Sequence, residues 1–306
     1  MSIYLPIAEI SVNLFVLILM GGAVGFLSGL FGVGGGFLIT PLLIFYNIPP
    51  SVAVATGANQ VIASSFSGML AHLKRGTVDV KLGLFLLGGG VLGAFAGTQV
   101  FRILREQGQL DLVVSLLYVV FLGIIGALML TESVRALRRS RGGRPVPMRR
   151  AGEHNWAHGL PLKMRFRQSR IFVSVIPVIG LGIFVGFLSA IMGVGGGFIM
   201  VPAMIYLLKV PTNVVIGTSL FQIVFTSAFT TVSHAMTNQT VDIILAVALM
   251  AGGVAGAQYG AFVGQKLRGE QLRALLALLV LLVCLRLGFD LVVTPDDLFS
   301  VVTGGV

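Results

Sequence analysis

Two short runs of consecutive glycines hold the residues best placed to do chemistry in this sequence. Gly32-Val33-Gly34-Gly35-Gly36-Phe37 and Gly193-Val194-Gly195-Gly196-Gly197-Phe198 are the same hexapeptide, each followed at the same interval by a proline, Pro41 and Pro202. Both lie inside long apolar stretches. Glycine costs about 1 kcal/mol relative to alanine in a helix interior, so such a run breaks a helix. In a bilayer a break survives only where protein or a watery cavity satisfies its backbone. Unwound backbone offers N–H groups, and the segment after it offers a helix N-terminus, a pairing that favours anions. Gly34, Gly35, Gly36, Gly195, Gly196 and Gly197 are therefore the first candidate ligands. The plainer alternative, close helix packing through small residues, suits Gly22-Gly25-Gly29 and Gly90-Gly93-Gly97 better.

Polar side chains inside apolar segments are the second group. Thr56, Asn59 and Gln60 sit mid-segment in the first half of the chain, and Thr218, Ser219 and Gln222 in the second. Such groups face protein or a cavity, so all six are candidate substrate ligands, against a role in interhelical hydrogen bonding. His72 and His234 close the same segment in each half. They are candidate proton relays, although a helix end is also an easy place for a histidine. Asp79 and Asp242 precede apolar segments and read as N-caps. Arg102, Arg105 and Arg286 either attract an anion or snorkel at an interface.

The elements that must position these residues repeat. Ser28 matches Ser189, and Pro50 matches Pro211, at an offset of 161. Thr56, Gln60 and His72 match Thr218, Gln222 and His234 at 162, and Asp79, Gly90, Gly93 and Gly97 match Asp242, Gly253, Gly256 and Gly260 at 163. Each half reads as an apolar segment (10–31; 171–191), a glycine break, a short apolar piece (36–47; 198–208) and three longer segments. Those are 51–72, 80–103 and 110–132 in the first half, and 212–235, 241–265 and 271–293 in the second. The expected domains are a first transmembrane repeat over 1–134, a basic linker over 135–170 and a second repeat over 171–306.

Composition sets the class. The chain has 306 residues, 56% hydrophobic and 10% charged, against about 25% charged in soluble domains; its mean hydropathy is +0.98. Many apolar segments approach the ~20 residues a spanning helix needs. The N-terminus has no basic residue before its apolar run, so the first helix reads as retained and not as a cleaved signal. The single cysteine, Cys284, excludes an internal disulfide.

Residues 135–170 carry eleven Lys/Arg against Glu153 alone, which accounts for the chain's whole net charge of +10. Between two membrane halves this block reads as a cytoplasmic loop under the positive-inside rule and not as a nucleic-acid site. Contact with anionic lipid heads is the sharper alternative. Gly142-Gly143, Pro145 and Pro147 mark a loop, while LKMRFRQSR alternates basic and apolar residues, a period that suits a short strand. Placing the linker inside puts 18 of the 21 basic residues on that side and both termini outside. Each half then crosses an odd number of times, and the halves are inverted. Whether 36–47 and 198–208 cross or re-enter stays open at this level. Paired glycine-broken segments in inverted halves point to a secondary transporter with a midplane site.

Enzyme signatures are missing. No HExxH, P-loop or Cys/His metal cluster is present, the glycine runs lack the GxGxxG spacing of a dinucleotide fold, and Ser28 has no evident catalytic histidine. Neither a cofactor nor a metal is expected. No acid lies deep in a span in both halves, which argues against strong cation coupling.

The segments GLFGVGGGFLITPLL (29–43) and AIMGVGGGFIMVPAM (190–204) resemble the paired signatures of the TauE/SafE sulfite exporter family, across essentially both halves. That resemblance implies a bacterial inner-membrane transporter, usually outward, of sulfite, sulfoacetate or related organosulfonates. It is carried by Gly34–Gly36 and Gly195–Gly197. The expected fold is an all-α polytopic membrane protein of two inverted repeats, each with a glycine-broken helix. A passive anion channel and a structural or signalling protein acting through its linker are the alternatives.

Overall fold

The computed structural model describes residues 2–31, 34–141, 162–166, 168–169, 171–264 and 269–293. Gly32, Val33, Glu153 and the loop predicted around Gly142-Gly143, Pro145 and Pro147 lie outside them.

Each half begins with a small antiparallel hairpin and continues into five helices. In the first half β1 (Ser2–Leu5) pairs with β2 (Ile10–Asn13), followed by α1 (Leu14–Phe31), α2 (Gly36–Phe45), α3 (Pro50–Lys74), α4 (Val80–Glu106) and α5 (Leu110–Arg141). In the second, β3 (Lys163–Phe166) pairs with β4 (Ile171–Ser174), followed by α6 (Val175–Met192), α7 (Gly197–Tyr206), α8 (Thr212–Thr237), α9 (Ile243–Gly264) and α10 (Gly269–Val292). Seven helical segments are long and apolar enough to cross a membrane, and α2 and α7 are the shorter pieces after the two breaks. The protein is thus an all-α polytopic membrane protein.

Two boundaries differ from the sequence reading. The apolar runs 10–31 and 171–191 each open as a strand, because a short partner run folds back on them: Leu5 pairs with Ile10 and Phe166 with Ile171. A continuous apolar run hides that switch, since periodicity cannot separate a buried strand from a buried helix. The helical part of the linker is the second. α5 carries Arg135, Arg138, Arg139 and Arg141 on one continuous helix, while the alternating stretch near Lys163 is a strand as expected.

Aspartates start the equivalent helices α4 and α9. Asp79 Oδ1 accepts from Leu82 N, and Asp242 Oδ1 accepts from Ile244 N and Leu245 N. Each second carboxylate oxygen ties a hairpin down. Asp242 Oδ2 accepts from Ile7 N at 3.1 Å, and Asp79 Oδ2 accepts from Ser169 N at 3.0 Å and Ser169 Oγ at 2.8 Å. Leu5 and Phe166, at matching places in the two hairpins, are fully buried.

Glycines set the helix pairs. A Cβ at Gly21, Gly25 or Gly29 of α1 would strike backbone of Leu249, Gly253 or Ala257 of α9, so the two helices lie backbone to backbone and parallel. α4 and α6 make the equivalent pair, with Gly89, Gly93 and Gly97 over Ile179, Ile183 and Phe187. Small residues permit this approach where lipid supplies no hydrophobic drive between helices. The equivalent helices α3 and α8 run antiparallel: Gly68 meets Leu220, and His72 meets Gly217. α5 and α10 are antiparallel too, with Gly123 at Cys284 and Gly126 at Leu281. α2 runs antiparallel to α3, starting with Gly36 at Val61 and passing Ile39 and Thr40 at Gly57.

Candidate substrate site between the two glycine breaks

The two breaks meet at the centre. Phe37 and Phe198, the second residues of α2 and α7, stack at 4.6 Å and 18°. Gly36 touches the backbone of Val194, so a side chain there would strike it. Gly34 and Gly195 both hold φ +71°, a left-handed conformation that side chains rarely adopt. A Cβ at Gly34 would stand 3.0 Å from Ser65 Oγ, and one at Gly195 would stand 3.1 Å from Ser227 Oγ. Gly35 and Gly196 occupy the N-cap positions of α2 and α7, and Gly36 and Gly197 begin those helices. All six candidate glycines are buried together around this junction.

The glutamines lie on the helices that flank it. Gln60 packs on α9, its Nε2 3.0 Å from where a Cβ would stand at Gly253, and Gln222 packs on α4 against Gly90 in the same way. Both are essentially unexposed. Gln222 Nε2 donates to Thr226 Oγ1 at 2.8 Å. Gln60 Nε2 and Oε1, Gln222 Oε1, Ser65 Oγ and Ser227 Oγ have no hydrogen-bond partner among the described residues. A buried polar atom without a partner costs about 1–3 kcal/mol, so these five, two equivalent pairs and Gln60 Nε2, form a set that a polar guest would satisfy. The set is neutral. Its amides and hydroxyls can donate to an oxyanion without forming an ion pair that would hold it too tightly to release.

Other candidates take structural places. Thr56 Oγ1 accepts from Asp242 N at 3.1 Å, and Thr218 Oγ1 accepts from Asp79 N at 3.0 Å. These bonds exchange between the halves and lock the start of each long helix to the opposite repeat. Asn59 is half-buried and reaches Thr56 O at 3.4 Å, and Ser219 Oγ donates to Ile216 O. Neither has an equivalent in the other half: the matching positions are Phe221 and Gly57. Among the described residues no group of three or more His, Cys, Asp or Glu could hold a metal.

A cavity of about 290 Å³ opens on the side where α3 ends. Ser28, Ser64, Ser67, His72, Arg75 and Leu220 line it. Arg75 is exposed at the mouth, His72 is half-buried with Nδ1 2.8 Å from Thr77 Oγ1, and Ser64 lies one residue from the buried Ser65. His234 lies at the opposite end. It is unexposed, with Nε2 donating to Ala190 O at 2.9 Å and Nδ1 accepting from Asn238 Nδ2 at 2.9 Å. Ser65 and Ser227 were absent from the candidate ligands read from sequence, although they match at the same offset of 162 as the glutamines.

A family model described as sulfite exporter TauE/SafE matches residues 17–287. A probable membrane transporter protein of Bacillus subtilis (strain 168), YunE, is 28% identical over 90% of this chain and 97% of its own length. Another, from Xylella fastidiosa (strain 9a5c), is 31% identical over 81% of this chain and 84% of its own. Sulfite exporter TauE/SafE family protein 3 of Arabidopsis thaliana is 30% identical over 30% of this chain and 20% of its own length. No solved structure matches. With the family model covering both breaks and the helices between them, the chain belongs to the TauE/SafE sulfite exporter family of membrane transporters.

Proposed function

We propose that this protein is a secondary transporter that exports a small sulfur-containing anion, such as sulfite, sulfoacetate or another organosulfonate, across a bacterial inner membrane. The site is the neutral pocket where the two breaks meet, with Gln60, Ser65, Gln222 and Ser227 as side-chain ligands. The backbones of Gly34–Gly36 and Gly195–Gly197 form its floor and roof. The observation that carries this reading is the set of buried, unpartnered amide and hydroxyl atoms on the equivalent helices α3 and α8, with Ser65 and Ser227 beside Gly34 and Gly195 where α2 and α7 begin.

The two halves are inverted in the bilayer. Antiparallel α3 and α8 support this, and so does the course of α2, which turns back along α3 from the break. α1 and α2 then form a re-entrant pair, leaving three crossings per half. The basic linker lies on the cytoplasmic side, where its arginines face anionic lipid heads, and both termini lie outside. The cavity beside Arg75 is the cytoplasmic entrance. His234, with both ring nitrogens bonded, is left out of any proton relay; His72 faces the entrance.

Energetics favour export. About 100 mV, inside negative, is worth ~2.3 kcal/mol per charge, so a divalent anion gains enough for roughly a thousandfold gradient without a coupling ion. Flux of labelled sulfite and sulfoacetate in proteoliposomes under an imposed potential tests the reading, with the Ser65→Ala/Ser227→Ala double variant alongside. Saturable flux that weakens in the variant is expected. Linear flux without saturation would indicate a channel, and no flux of either anion under any gradient would refute the sulfur-anion assignment.

A further inference from the structure

The place equivalent to the cavity in the second half is packed. Moved by the repeat offset, the cavity's lining residues Ser64, Gly68 and His72 become Thr226, Thr230 and His234 of α8. These residues are fully buried. His234 is held from three sides: Ala190 O accepts from Nε2, Asn238 Nδ2 donates to Nδ1, and the Phe101 ring meets the imidazole edge-on at 4.6 Å. Arg105 Nη1 in turn donates to Asn238 O at 2.7 Å, tying the end of α4 to the end of α8. Behind His234, the hydroxyls of Thr230 and Ser227 are buried without partners among the described residues. They stand about one and two turns back along α8, on the way to Gln222.

The residues that make this seal are those at which the repeats disagree. Ala190 and Phe101 correspond to Gly29 and Gly264 in the other half, and Asn238 stands where the second half carries one extra residue between its histidine and its aspartate. Gly29 lines the open cavity. Bulk surrounds His234 at one end, and Gly29 stands in the cavity wall at the other.

We propose that Ser227, Thr230 and His234 line the second half of the anion path, and that His234 is its gate. The ring releases the Ala190 carbonyl to open a route to the face opposite the linker. The hydroxyls of Ser227 and Thr230 then serve the passing oxyanion as donors, as Ser64 and Ser65 do on the open side. This rests on the transporter reading above, but not on which anion is carried.

The test uses the full chain in oriented proteoliposomes, in a Cys284→Ser background that removes the sole cysteine. Thr230→Cys is probed from the side opposite the linker with a charged, membrane-impermeant methanethiosulfonate. Ser64→Cys, probed from the linker side, reports that the fold and the open cavity are intact. We expect Thr230→Cys to react slowly when His234 is present. At least a tenfold faster reaction is expected when His234→Gly, or the milder Asn238→Ala, is added, with Ser64→Cys unchanged. Sulfoacetate should slow the accelerated reaction; sulfite is avoided because it cleaves the mixed disulfide. The proposal is overturned if Thr230→Cys reacts equally in all three backgrounds, or reacts only from the linker side. Accelerated labelling in a protein that moves neither sulfur anion would uphold the gate and refute the substrate assignment alone.

Discussion

Gln60→Met separates a binding residue from a structural one by moving stability and transport in opposite directions. Gln60 is fully buried, and both of its polar atoms lack a partner among the described residues. An unsatisfied buried amide costs about 1–3 kcal/mol, and methionine has similar length and volume with no polar atom to bury. Because it conserves volume, the swap itself costs less than about 1.5 kcal/mol. The substrate-free variant should therefore be as stable as the parent or more so, with an apparent melting temperature in detergent unchanged or raised by a few degrees, at roughly 2–4 °C per kcal/mol. Transport should move the other way. A hydrogen bond to a charged group is worth about 1.5–3 kcal/mol, so the ratio of maximal flux to half-saturating concentration should fall roughly ten- to hundredfold. Gln222→Met supplies the internal control. Its Nε2 already bonds Thr226 Oγ1 and only Oε1 is unpartnered, so its gain in stability should be smaller while its loss of transport is similar. Thermal unfolding of purified protein and proteoliposome flux measure both quantities. A Gln60→Met protein that melts lower and transports normally would refute the reasoning, because the amide would then be a satisfied structural group.

Three further outcomes follow from the same contacts. Thr56→Val and Thr218→Val each strip the acceptor from a buried backbone N–H, of Asp242 and Asp79 respectively; each should lower stability by about 1–3 kcal/mol with little change in half-saturation, as read by melting and flux. Gly25→Ala should destabilise despite its better helix propensity, since its Cβ meets the Gly253 carbonyl, whereas Gly88→Ala, with nothing within 4 Å, should stabilise by up to about 1 kcal/mol. Comparing the two melting temperatures decides whether backbone approach outweighs propensity. Asp79→Ala removes the acceptor that holds Ser169; limited proteolysis should then cut faster in the Lys163–Ser174 hairpin, and an unchanged rate would mean that strand pairing alone secures it.

How far the sequence could be read depended on which physical question was put to it. Hydropathy marks spans because a bilayer leaves few alternatives for an apolar run, and the glycine breaks are legible because no helix tolerates them. Asp79 and Asp242 were readable as caps from position alone, and so they are. The threonines were not. Thr56 and Thr218 repeat as faithfully as the glutamines, yet their hydroxyls turn to the backbone of the opposite half, a direction set by how α3 and α8 cross. Of the hairpin strands only the alternating stretch at Lys163 is legible; β2 and β4 run into α1 and α6 with a single polar residue, Asn13 or Ser174, at the junction.

The repeat informs through its failures as much as through its matches. Equivalence at 161–163 residues identifies Ser65 with Ser227, beside the breaks, and Gln60 with Gln222, on the glycines of α9 and α4. A perfectly symmetric protein of this kind would have the same end twice. The departures at Gly29/Ala190 and Gly264/Phe101, and the extra residue between His234 and Asp242, are where one end becomes different from the other. Ala190, Asn238 and Phe101 surround the sealed His234, while Gly29 and His72 line the cavity. Potential and gradient set the direction of net flux through any carrier, so the asymmetry acts on access: Ala190, Asn238 and Phe101 close the His234 end, while Gly29 lines the open one.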